Sequence, residues 1–172
     1  LKTTPQEEDF LYLADILKRE TRGIDDDVTK LKVMTDWLHE NVKHGEYPPN
    51  FNGNGVANVI RGGMGNCGFQ SCNISAFAEL LGYKEHRLIH NREEWGAPGM
   101  HTFAEINMNG NWILFDPDWW QYIENNNGEL VGIREAIQDT SQINKPEAAQ
   151  FIYNTFKDKG YKITPSWQTT PM

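Results

Sequence analysis

Apolar residues recur at helical spacing from the start of the chain. Phe10, Leu13, Ala14 and Leu17 fall on one helix face. Thr3-Thr4-Pro5, followed by Gln6, Glu7, Glu8 and Asp9, starts that helix with Pro in the first turn and acids at its positive end, and Thr21-Arg22-Gly23 ends it. Asp25 to Asp27 cap a second helix with the stripe Val28, Leu31, Thr35, Leu38 and Val42, widened by Met34 and Trp37. Residues 45–55, rich in Gly, Pro and Asn, read as a loop, and Val56 to Ile60 as one helical turn. A third pattern runs through Phe69, Cys72, Ala76, Phe77 and Leu80. Gly62, Gly63 and Gly65 lead into it, and Gly82 is placed to close it in a left-handed cap.

The period then changes from helical to alternating. Arg87-Leu88-Ile89 reads as the heart of a strand, and the polar stretch Asn91 to Gly99 as a loop that could wall a cleft. His101 to Met108 and Asn111 to Pro117 are two strand-like runs joined by Asn109-Gly110, the strongest short-range hairpin signal. Counting outward from that turn pairs Met108 with Asn111, Asn107 with Trp112, Glu105 with Leu114 and Phe103 with Asp116. His101 shares the Phe103 face and is the diagonal neighbour of Asp116, roughly 7–8 Å away at the backbone and within side-chain hydrogen-bonding reach. Further on, Asn125 to Gly128 is a turn and Ile133 to Ile137 a short helix. Lys145-Pro146-Glu147 opens a last helix through Phe151, Ile152, Thr155 and Phe156 to Gly160, and the tail has few signals.

This order predicts an α+β fold in one domain spanning residues 1–172. An antiparallel sheet packs against a central helix that carries Cys67, with helices at both ends. A thiol in the first turn of a helix meets unsatisfied N–H groups and the positive end of the helix dipole, and both favour the nucleophilic thiolate. An Asp bonded to one ring nitrogen of a His fixes its tautomer and leaves the other nitrogen to take a proton from a thiol. Cys67, His101 and Asp116 are therefore the candidate catalytic set. Glu105, on the same strand face as His101, is either a partner of that histidine or one half of a strand-edge salt bridge.

Charge narrows the partners. The net charge of −8 comes without a basic stripe, which argues against nucleic acid and anionic membrane surfaces. No apolar run approaches the ~18 residues of a membrane span, and no signal peptide is visible. The chain is expected to be soluble. It opens on Leu1, which leaves room for an upstream targeting segment and an extracytoplasmic location. Cys67 and Cys72, about 7.5 Å apart along one helix axis and ~140° around it, are expected to be two free thiols that mark no compartment. Asn73-Ile74-Ser75 is a glycosylation sequon inside a helix and is expected to be irrelevant.

At these residues the chain resembles the transglutaminase-like superfamily, a papain-related group of cysteine enzymes, and within it the small bacterial-type members. The motifs are Gly65-Asn66-Cys67 opening a helix that ends in Leu81-Gly82, then His101-Thr102-Phe103-Ala104-Glu105, then Trp112-Ile113-Leu114-Phe115-Asp116-Pro117. Thr35 to Val42 is similar to the family's helix before the catalytic one. The resemblance covers about residues 28–120, leaving an N-terminal helix over 5–22 and a C-terminal extension over 121–172. The chain departs from the family where a Tyr often follows the upstream helix: His44 stands there, with Tyr47 three residues on.

The resemblance implies acyl transfer on amides through a thioester. The acceptor is water in a peptidase or amidase, or an amine in a transglutaminase. It implies a peptide, protein or other amide substrate, and neither cofactor nor metal is expected. Two rivals stand beside it. One is a zinc site from Cys67, Cys72, His86 and His90, weakened because a strand-like run holds the two histidines roughly 13 Å apart. The other is a non-catalytic module of the same fold that binds peptide or glycan.

Overall fold

The change of period near residue 85 is where helices give way to a sheet. The structure, a computed structural model, describes residues 5–46, 56–91, 100–157 and 160–165. Of the loops expected over 45–55 and Asn91 to Gly99, residues 47–55 (Tyr47 among them) and 92–99 lie outside the described residues, and Asn91 is the last residue of a strand.

Helices α1 (Pro5–Glu20) and α2 (Asp27–Asn41) come first. Asp26 caps α2, its carboxylate accepting from the Thr29 N–H at 2.7 Å. Next are β1 (Lys43–His44), α3 (Val56–Gly62), β2 (Met64–Gly65) and α4 (Cys67–Leu80). The Val56 turn is thus a full short helix. The two short strands pair in parallel, setting His44 beside Gly65. Helix α4 ends as its glycine foretold: Gly82 takes φ +99°, Tyr83 N–H donates to Ala78 O and Gly82 N–H to Glu79 O.

Strands β3 (His86–Asn91), β4 (Thr102–Met108), β5 (Asn111–Asp116), β6 (Gln121–Tyr122) and β7 (Tyr161–Pro165) form a five-stranded antiparallel sheet in the order β6-β5-β4-β3-β7. The hairpin register matches the count from Asn109-Gly110: Met108 faces Asn111, Asn107 faces Trp112 and Glu105 faces Leu114.

The sheet is covered on both faces. Leu88, Ala104, Ile106 and Phe115 pack against Leu31, Met34, Leu38, Ile74 and Phe77 of the helical layer. Ile89, Phe103 and Leu114 point the other way, against Ile133, Ile152 and Phe156. Each such side chain contributes about 1.5–3 kcal/mol relative to exposure. That second layer is α5 (Ile133–Gln138), a 3-10 turn at Thr140–Gln142, and α6 (Pro146–Ile152), which widens into a π-helical turn over Tyr153–Lys157.

Helix α4 is buried all round rather than along one stripe. Its polar residues are therefore interior groups. Ser71 Oγ donates to Thr102 O at 3.1 Å, tying the helix to β4. Asn73, first residue of the sequon, is fully buried. Glu105 is also fully buried and joins the two layers. Arg87 Nε and Nη2 reach it at 2.8 and 2.7 Å, and it accepts the Ile133 N–H at 2.6 Å. It is the salt-bridged residue of the two alternatives, not a neighbour of the His101 ring. Gly132 is required there, since a Cβ would meet Trp112 O at 2.5 Å and Glu105 Oε1 at 2.9 Å.

Candidate active site

The site forms where the tip of α4 meets the first residues of β4 and the turn after β5. Asn66 caps α4, its side-chain oxygen accepting the Phe69 N–H at 3.2 Å. That leaves the N–H groups of Cys67 and Gly68 in the first turn without intrahelical acceptors. Cys67 is therefore the first helical residue, at a helix tip whose first N–H groups the helix itself does not use. It is buried and in no disulfide, as is Cys72, which lies in the core between the layers.

His101 sits just before β4. Its backbone N–H donates to Asn91 Oδ1 at 3.2 Å, and its carbonyl accepts the Asn91 N–H at 3.3 Å. The ring is fully buried, with Nε2 2.9 Å from Asp116 Oδ2. Asp116 is held in turn. The backbone N–H groups of Trp119 and Trp120 donate to it at 3.3 and 3.1 Å, a turn set by the aspartate's own side chain. His39 on α2 pins the same turn by donating from Nδ1 to Pro117 O at 2.9 Å.

The second ring nitrogen, Nδ1, is buried and has no hydrogen-bond partner among the described residues. Cys67 Sγ and a ring nitrogen of His101 lie within 4.8 Å of one another. Burial pulls the His101 imidazolium down, but Asp116 and then Cys67 outweigh it and push the ring up to about 10. At neutral pH the geometry thus holds a cation between sulfur and carboxylate.

Aromatic rings close around this histidine. Trp119 stacks on it at 4.1 Å between centroids, Phe103 meets it edge-on at 4.8 Å, and Phe151 of α6 meets it edge-on at 5.6 Å.

Sequence reasoning missed Asp118. Its carboxylate lies within the same 4.8 Å as Cys67 Sγ and the His101 nitrogen. Gln70 Nε2 on α4 donates to Asp118 Oδ1 at 2.8 Å, and His44 Nδ1 lies 2.8 and 2.9 Å from its two oxygens. Burial pushes Asp118 above the usual carboxylate range, against the pull of His44. His44, at the position where the family often has Tyr, is thereby committed to Asp118 through Nδ1. The available signal was Asp-Pro-Asp itself: an aspartate that caps its own turn throws the second aspartate back toward the helix tip.

The four residues of the zinc rival do not converge. Cys72 is in the core, His86 lies 3.9 Å from Glu79, and His90 is held between the hydroxyls of Thr102 and Thr164 at 3.0 and 2.6 Å. Burial keeps both histidines below their ordinary range.

A buried histidine oriented by a carboxylate and lying beside a helix-tip cysteine is an arrangement that suits cysteine acyl-transfer chemistry. The chain belongs to the transglutaminase-like superfamily, whose sequence profile matches residues 14–117. A solved protein from Cytophaga hutchinsonii, provisionally described as a cysteine protease, is similar in fold at 18% identity and a TM-score of 0.52. The superposition covers 96% of this chain and 49% of that one, so the chain spans about half the length of that neighbour. No curated protein matches the sequence. No helix among the described residues is long and apolar enough to cross a membrane.

Proposed function

We propose that the chain is a cysteine-dependent amide hydrolase, with Cys67 as nucleophile, His101 as acid and base, and Asp116 as the group that orients and charges the imidazole. One observation carries this reading. His101 is fully buried, spends Nε2 on Asp116, leaves Nδ1 unpartnered among the described residues, and brings a ring nitrogen within 4.8 Å of Cys67 Sγ.

The thiolate attacks the amide carbonyl, and the backbone N–H groups of Cys67 and Gly68 receive the oxyanion. His101 gives its proton to the departing nitrogen as the C–N bond breaks, leaving a thioester on Cys67 and a neutral imidazole. Water, deprotonated by that imidazole, attacks the thioester; carboxylic acid leaves, and His101 and Cys67 return to their first state. An amine in place of water gives a new amide and a transglutaminase. The family supports a peptide or protein amide as substrate.

The test is acyl-enzyme capture. Incubation with a library of peptide amides and activated esters, followed by intact mass measurement, should find an acyl adduct that maps to Cys67. Hydroxylamine should release it as the hydroxamate. Cys67→Ala should abolish it, and added primary amines should report any transfer branch. Iodoacetamide should label Cys67 ahead of Cys72. A chain that forms no adduct, with Cys67 and Cys72 alkylating at one rate, would leave the non-catalytic binding module as the better reading.

A further inference from the structure

Asp118 has no part in the acyl-transfer scheme, yet it brings a third donor atom to the nucleophile. We propose that this pocket binds a soft divalent cation, Zn²⁺ above all, through Cys67 Sγ, the free ring nitrogen of His101 and a carboxylate oxygen of Asp118, and that the bound ion switches the nucleophile off.

The donor set comes first. Cys67 Sγ, a ring nitrogen of His101 and a carboxylate oxygen of Asp118 lie within 4.8 Å of one another, and all three residues are buried. Thiolate, imidazole and carboxylate are the three donor types zinc takes from proteins, at bond lengths of about 2.0–2.3 Å. Tetrahedral ligands at those lengths stand about 3.3–3.8 Å apart, so each pair closes by about 1.5 Å or less. A sulfur in the set disfavours Ca²⁺ and Mg²⁺, which take oxygen.

The supports are already in place. Among the described residues His101 Nδ1 is buried without a partner, while Nε2 is held by Asp116, the carboxylate–histidine support that orients metal-binding imidazoles. Asp118 is held from behind by Gln70 and His44. Three protein ligands leave a fourth position for water, the pattern of an open site.

The consequence for chemistry is direct. The ion takes the sulfur lone pair that would attack the carbonyl and the nitrogen that would carry the proton. Zinc then acts as a reversible cap, and a chelator removes it. This blocking effect rests on the activity proposed above; the binding does not.

The test begins with the wild-type chain, purified in chelator and exchanged into metal-free buffer. Co²⁺ should give a near-ultraviolet thiolate charge-transfer band and the intense visible bands of a four-coordinate site. One equivalent of Zn²⁺ should bleach them. X-ray absorption of the zinc-loaded chain should count one sulfur, with the remaining ligands nitrogen or oxygen. Zinc should protect Cys67 from iodoacetamide, and EDTA should restore labelling.

Cys67→Ser should erase the charge-transfer band. Asp118→Asn should weaken zinc by at least the ~10–100-fold that loss of a mere supporting group costs. The wild-type spectra decide even if a variant misfolds. Two sulfurs, none, or an affinity unchanged in a folded Asp118→Asn chain would overturn the site. A one-sulfur zinc site in a chain that never forms an acyl adduct would sink the proposed activity and keep the metal. An active chain without the spectral signature would do the reverse.

Discussion

The indole of Trp119 lies flat on the imidazole of His101, with ring centroids 4.1 Å apart and planes 8° from parallel. Trp119 is 39% exposed, so the indole covers the histidine and still reaches solvent. It fixes the plane of the ring and shields the His101–Asp116 bond, whose strength depends on the exclusion of water. Trp119→Ala should therefore lower turnover by about 10–100-fold, the scale of a slight misplacement of a reacting group. The thermal midpoint should move little, and Trp119→Phe should restore most of the rate. If Trp119→Ala turns over normally, the stack has no positioning role.

Asp116→Asn is the sharpest probe of the histidine. Asparagine keeps one side-chain oxygen, so it can accept one of the Trp119 and Trp120 N–H groups that Asp116 holds on separate oxygens, and the turn should be weakened rather than lost. The imidazolium loses its counter-charge and its orienting anion, and turnover should fall on the order of 10⁴-fold. Circular dichroism checks the fold, and acyl-adduct formation checks the chemistry. An unchanged rate would remove Asp116 from the mechanism.

The same ion pair makes stability depend on pH. His101 moves from an ordinary 6.5 to about 10 in the folded chain, so the native state holds its proton more tightly than the unfolded state does. That contribution is fully present below about 6.5, declines as pH rises, and is gone above about 10. Asp118, also raised, acts in the same direction from its ordinary 3.8 upward. Urea midpoints, measured with EDTA present, should fall between pH 6 and pH 10. The fall should be smaller in Asp116→Asn. Parallel slopes for the two proteins would contradict a charged His101 in the native state.

Glu105 offers a control away from the chemistry. It joins Arg87 on β3 to the start of α5, and its side chain is buried while that of Arg87 is 22% exposed. Glu105→Ala leaves a half-covered guanidinium and a buried N–H unpaired, at a cost of about 3 kcal/mol. Denaturant unfolding should register that loss. Iodoacetamide labelling of Cys67 in the folded variant should stay near the wild-type rate, because Glu105 does not touch His101.

The legible parts of this chain were those fixed by local chemistry. Asn109-Gly110 set the register of β4 and β5, and with it the nearness of His101 and Asp116. Gly82 marked the end of α4 because few other residues take φ near +99°. The missed parts depend on contacts between distant segments. Asp118 gains its place from Gln70 and His44, 48 and 74 residues away in the chain. The strand Tyr161–Pro165 is only five residues long, ends in a proline and is held by its pairing with β3, on the far side of the chain in sequence. Helix α4 reads as a buried helix from its apolar positions, but nothing local shows that Ser71, Asn73 and Ser75 are interior as well. Their burial follows from the sheet on one side and three helices on the other, which no local window reports.

The far face of the sheet has a practical corollary for anyone dissecting the protein. The stretch that matches the family stops at residue 117, but among the described residues Ile89, Phe103 and Leu114 find their cover beyond it. Phe151, from that later stretch, also touches the His101 ring. A fragment trimmed to the family match would present a bare apolar sheet to water and a histidine with one wall missing. Such a fragment should aggregate on expression. The shortest piece worth making therefore reaches at least to the strand that ends at Pro165.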